Sequence, residues 1–133
     1  MLFTKTLTIP ANTAESSPAS VRFGLDKGVI TRVEVEFPAG CAGLVQAHID
    51  RGLTQVWPTN NDGTLRSDGR AIVWADYYEM FDEPLDLDLV GWNDDDTYSH
   101  EILFRFELTP RSVAERNIEA IGFLTKLRRA INI

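Results

Sequence analysis

The chain has 133 residues, with a hydrophobic share of 44% and a charged share of 25%. That fits one soluble domain, large enough to bury a core without disulfides or metal. The net charge of −7 leaves too few Lys and Arg on the body to wrap nucleic acid, and Cys41, the lone cysteine, excludes an intrachain disulfide.

The charge is unevenly spread. Residues 1–110 hold 8 basic and 18 acidic residues, while residues 111–133 hold 5 basic and 2 acidic ones. A basic tail beside an acidic body predicts attraction between them, within one chain or between copies. The N-terminus has no apolar stretch of signal-peptide length, and no apolar run is long enough for a transmembrane helix. A reducing compartment of synthesis is expected.

Period-2 alternation predicts strands through residue 108. Leu2–Ile9 is the first. Val21, Phe23 and Leu25 alternate in a second, which ends at the Asp26-Lys27-Gly28 turn. In Val29–Phe37, Val33, Val35 and Phe37 face one way and Arg32, Glu34 and Glu36 the other. Leu44–Asp50 places Val45, Ala47 and Ile49 inward and His48 on a polar face with Gln46 and Asp50. Leu53–Trp57 follows, then a long loop over Pro58–Gly69, then a strand over Ala71–Ala75. Leu85, Leu87 and Leu89 alternate with Asp86 and Asp88; Asn93–Asp96 is a polar turn; His100–Leu108 is the eighth strand.

These spacings predict a mostly-β fold: an antiparallel β-sandwich, preferably a jelly roll of about eight strands, over residues 1–108, with an immunoglobulin-like order left open. Residues 109–133 form a C-terminal tail. There Pro110 suits a helix first turn, and Ser112 with Glu115 has capping-box spacing. Val113, Ala120, Ile121, Leu124, Leu127 and Ile131 lie on one helical stripe, opposite Glu115, Glu119, Lys126 and Arg129. A helix of this length is marginal alone, so the stripe needs a surface. Val113, Ile121, Leu124, Leu127 and Ile131, with Lys126, Arg128 and Arg129, are the predicted partner-docking residues.

The candidate chemistry is sparse. Asn93-Asp94-Asp95-Asp96 is read as a solvated turn; a Ca²⁺ site through Asp94, Asp95 and Asp96 is the alternative, although EF-hand spacing is missing. Trp57, Trp74, Trp92, Tyr77, Tyr78 and Tyr98 include candidates for a sugar platform, and Trp92 and Tyr98, which flank the acidic turn, are the best placed. Trp57 and Trp74 are expected in the core or covering the sandwich ends. His48 and His100 lack metal spacing, and Cys41 has no His or basic residue beside it. No motif for a catalytic nucleophile, a phosphate loop or a zinc protease is present, so no enzyme, cofactor or metal is expected.

The stretch Gly28-Val29-Ile30-Thr31-Arg32-Val33-Glu34-Val35-Glu36-Phe37-Pro38-Ala39-Gly40-Cys41-Ala42-Gly43-Leu44-Val45, then Gly52-Leu53-Thr54-Gln55-Val56-Trp57-Pro58 and Gly91-Trp92-Asn93-Asp94-Asp95-Asp96-Thr97-Tyr98, resembles small β-sandwich accessory proteins of tailed-phage virions and prophages. Decoration, cement and head-associated jelly rolls are among them. The resemblance spans residues 1–108 in character. It implies a non-enzymatic virion component, assembled in the host cytoplasm, that self-associates or meets other virion proteins. Direct nucleic-acid or membrane partners are not implied. The appended helix departs from the simplest of those proteins. The alternative reading is a carbohydrate-binding sandwich, Ca²⁺-assisted or not, and the alternative location is a bacterial cytoplasm.

Overall fold

Alternating apolar side chains build two four-stranded antiparallel sheets. The computed structural model of the chain describes residues 1–119. Eight strands follow in order: β1 (Leu2–Ile9), β2 (Ala19–Gly24), β3 (Gly28–Phe37), β4 (Val45–Arg51), β5 (Thr54–Trp57), β6 (Arg70–Met80), β7 (Asp86–Asn93) and β8 (His100–Thr109). A helix, α1, occupies 111–119.

One sheet has the order β1-β8-β3-β6 and the other β2-β7-β4-β5. The pairs β1–β8, β2–β7, β3–β6 and β4–β5 nest like one long hairpin bent at Gly52, whose φ is +62°. Pairs β3–β8 and β4–β7 roll that hairpin up. This is a jelly-roll order; the sequence favours that topology without specifying the strand order.

The core forms where the two inner faces meet. One sheet contributes Leu7, Ile9, Val33, Val35, Phe37, Ile102, Phe104 and Phe106, and the other Val45, Ala47, Ile49, Leu87 and Leu89, all buried. Each large side chain among them contributes roughly 1.5–3 kcal/mol. On the outer face of the first sheet, Arg105 bridges Glu34 and Glu36 at 3.2 Å each, as opposite charges on adjacent strands do.

Two elements run well past their predicted bounds. β6 continues past Ala75 to Met80, and β7 continues past Leu89 to Asn93. Asn93 therefore belongs to a strand and not to the polar turn expected of it. It is fully buried and its side chain makes three hydrogen bonds, which offset the cost of placing an amide there.

The ends of the sandwich differ. Pairings Ile9↔His100, Ala19↔Gly91 and Val45↔Asn93 gather loops 10–18, 38–44 and 94–99 at one end. Gly28↔Met80 and Val29↔Thr109 mark the other, from which α1 departs. The length of β8 separates these ends by roughly 30 Å.

Candidate functional site

A polar knot closes the loop-bearing end. Asn93 Nδ2 donates to the carbonyls of Ile9 at 3.3 Å and Tyr98 at 2.9 Å, and its Oδ1 accepts the Asp95 N–H at 2.9 Å. Asp95 Oδ1 accepts the N–H groups of Thr97 and Tyr98, and Oδ2 accepts His100 Nε2–H at 2.9 Å. These bonds hold the Asp95 carboxyl below the usual carboxylate range, with the His100 bond first and the Thr97 N–H next.

The knot corrects the reading of a solvated turn. Asp94 and Asp96 are exposed, but Asp95 is buried and both its oxygens are engaged. Among the described residues no three His, Cys, Asp or Glu side chains converge as a metal-holding group. Nearby, burial pushes the Cys41 thiol up, and Asp68 and Asp95 push it further. A buried thiol held protonated is a poor nucleophile.

A second feature is a cleft of about 340 Å³ on the outer face of the β2-β7-β4-β5 sheet. Alternation explains its floor. Leu87, Leu89 and Gly91 point inward along β7, so Trp92 points outward; His48 does the same on β4. His48 Nδ1 lies 2.8 Å from Asp50 Oδ1, two residues along the same face. The carboxylate orients the ring, and in the neutral imidazole it holds the proton on Nδ1 and leaves Nε2 as an acceptor. The Trp92 ring meets the His48 ring edge-on at 5.9 Å.

The long loop after β5 walls the cleft. Gln55 Nε2 donates to the carbonyls of Pro58, Asn60 and Gly63 at 2.8, 3.1 and 3.1 Å. Further on, Leu65 pairs its backbone with Ala47, and Thr64 donates to Gln46 at 2.8 Å. Glu15 and Asp62 add carboxylates to the rim.

The predicted aromatics separate. Trp57 is a core residue that donates to Asp76 Oδ2 at 2.7 Å, and half-buried Trp74 packs against the core. Trp92 is only 6% exposed, so it offers no open platform, whereas Tyr98 is 68% exposed on the turn. The polar face of His48 was visible in the sequence; Glu15, Gln55 and Asp62 lie on a loop, a short strand and another loop and carried no pattern.

The root of the tail is seated on the body. Pro110 O accepts the N–H groups of Val113 and Ala114, both at 3.0 Å. α1 thus opens at 111, ahead of Ser112, and the expected Ser112–Glu115 capping box gives way. Ser112 O takes Arg116 Nε at 3.2 Å, and Glu115 lies 4.0 Å from Arg111. The Arg111 guanidinium stacks 3.9 Å over the Phe81 ring and 3.8 Å from Glu79. Ala114 is 2% exposed, Val113 is half-buried and Ile118 is 49% exposed. Ile121, Leu124, Lys126, Leu127, Arg128, Arg129 and Ile131 lie outside the described residues.

No protein-family model matches the chain, and no curated protein matches it. Among solved structures the chain is similar to a family two carbohydrate esterase from Cellvibrio japonicus, at 13% identity and a TM-score of 0.30. The match covers 83% of this chain and 36% of that one, so the chain spans about a third of its length. A likeness that slight carries no argument about function.

Proposed function

We propose that the chain is a non-enzymatic structural component of a virion, a capsid or head accessory protein that self-associates or docks through its C-terminal helix. Its partners are copies of itself or other virion proteins, and assembly takes place in the host cytoplasm. The jelly roll is the rigid body and α1 is the start of the docking element.

One observation carries the reading. Arg111 and Ala114 fix the root of α1 on the body, and Val113, the first residue of the predicted stripe, is half-buried there. A helix anchored at one end projects in a set direction. In sequence the stripe continues through Ile121, Leu124, Leu127 and Ile131, and leaving it in water is costly.

The test is a stripe variant, Leu124→Asp with Leu127→Asp, compared with the intact chain by light-scattering mass and far-ultraviolet circular dichroism. The expected result is loss of the oligomer with the β signal unchanged. An oligomer that survives the double substitution would sink the docking role of the stripe.

A further inference from the structure

We infer that the cleft bounded by Trp92 and His48 is a binding site for a neutral saccharide. The inference is independent of the assembly reading, because it concerns the body and not the tail.

The cleft is built from fixed groups of known polarity. Trp92 lines it and is nine-tenths buried. Its Nε1 has no hydrogen-bond partner among the described residues, yet no buried side-chain nitrogen or oxygen is left without one. Among the described residues the indole N–H is therefore an open donor, on a ring that lines the cleft. His48 is oriented by Asp50, so its Nε2 is a placed acceptor. Glu15 and Asp62 bring further acceptors, and neither makes an ion pair among the described residues.

The ligand class follows from that donor and acceptor set. Among the lining side chains Trp92 and Asn61 carry N–H donors and His48, Glu15 and Asp62 carry acceptors, around a space of about 340 Å³, within the range of small-molecule clefts. An ammonium or guanidinium satisfies the acceptors but has nothing to offer the indole N–H. An anion satisfies the N–H but meets two carboxylates. A hydroxyl donates and accepts at once, and a sugar ring presents several at fixed spacing. Gln55 holds the loop wall through three carbonyls, so the site needs little ordering on binding.

The three tryptophans give three indole N–H resonances, and Trp57 and Trp74 serve as internal controls. We would titrate the full chain with glucose, galactose, mannose and N-acetylglucosamine, with lysine amide and acetate as charged probes, and follow proton–nitrogen correlation spectra. Trp92→Phe assigns its peak by deletion. The expected result is a saturable shift of the Trp92 indole with at least one neutral sugar. His48→Ala should weaken that sugar at least about tenfold while leaving the other two indole peaks in place. Two results would overturn the inference: no neutral sugar moves the Trp92 peak at tens of millimolar, or only a charged probe moves it.

Discussion

Asp95 Oδ2 and His100 Nε2 stand 2.9 Å apart at the closed end of the sandwich, joining the turn after β7 to the first residue of β8. The same carboxylate takes two backbone N–H groups, so the turn is stitched at three points. Its Coulombic and hydrogen-bond partners favour the ionised form.

That stitching predicts an acid-sensitive fold. The Asp95 carboxyl is more acidic folded than unfolded, so it adds stability above its unfolded pKa of about 4. The contribution is lost as pH falls through the lower folded value. Melting temperature should therefore decline from about pH 4 downward. Asp95→Asn should melt lower at neutral pH and show a shallower acid decline. Parallel pH profiles for the two proteins would refute the assignment.

Gly91 predicts a packing defect. A Cβ there would sit 2.5 Å from Ile9 Cδ1 and 3.1 Å from the Gln46 carbonyl oxygen. Ile9 can rotate, but the β4 backbone cannot retreat without breaking its ladder with β7. Gly91→Ala should cost about 1–3 kcal/mol in urea unfolding. An unchanged or raised midpoint would show that the sheets separate more easily than this packing implies.

The acidic turn should be indifferent to calcium. Both oxygens of Asp95 are already engaged, which leaves exposed Asp94 and Asp96 as loose ligands. A hard cation wants six or more oxygens. Millimolar Ca²⁺ should leave the melting temperature unchanged. A rise of several degrees that disappears in Asp94→Asn or Asp96→Asn would reveal a site after all.

Charge predicts a salt-sensitive association. The tail contributes Lys126, Arg128 and Arg129, and the window 76–101 has ten acidic residues and no Lys or Arg. The screening length falls from about 10 Å at 0.1 M salt to about 3 Å at 1 M. Self-association measured by sedimentation should weaken several-fold across that range. Association that strengthens with salt would assign the contact to apolar burial alone.

Much of the fold was legible because alternation records burial directly. Leu2–Ile9 matches β1 residue for residue, and Val33, Val35 and Phe37 are buried as their spacing predicts. Three misreadings have a shared cause. Asn93 looked like a turn residue because its partners Ile9 O and Tyr98 O are supplied by the fold. Trp92 looked exposed because it lies on the outer face of its sheet, yet it is 6% exposed, with the His48 ring against it. Ser112 looked like a helix cap, but the Pro110 carbonyl starts the helix earlier. The cleft was the least legible, since its rim comes from loops whose composition carries no period.

The central claim is that the tail, and not the body, makes the contacts between copies. Cutting at Thr109 would remove Arg111 and Ala114 and so disturb the body as well. A chain ending after Glu119 keeps that seat and loses only the remaining stripe. Sedimentation equilibrium of the intact chain against this shortened one is therefore the direct measurement. The account predicts a mass for the intact chain that rises with concentration to a multiple of 14.9 kDa, and a single-copy mass for the shortened chain with its melting temperature retained. Equal masses for the two chains at every concentration would contradict it.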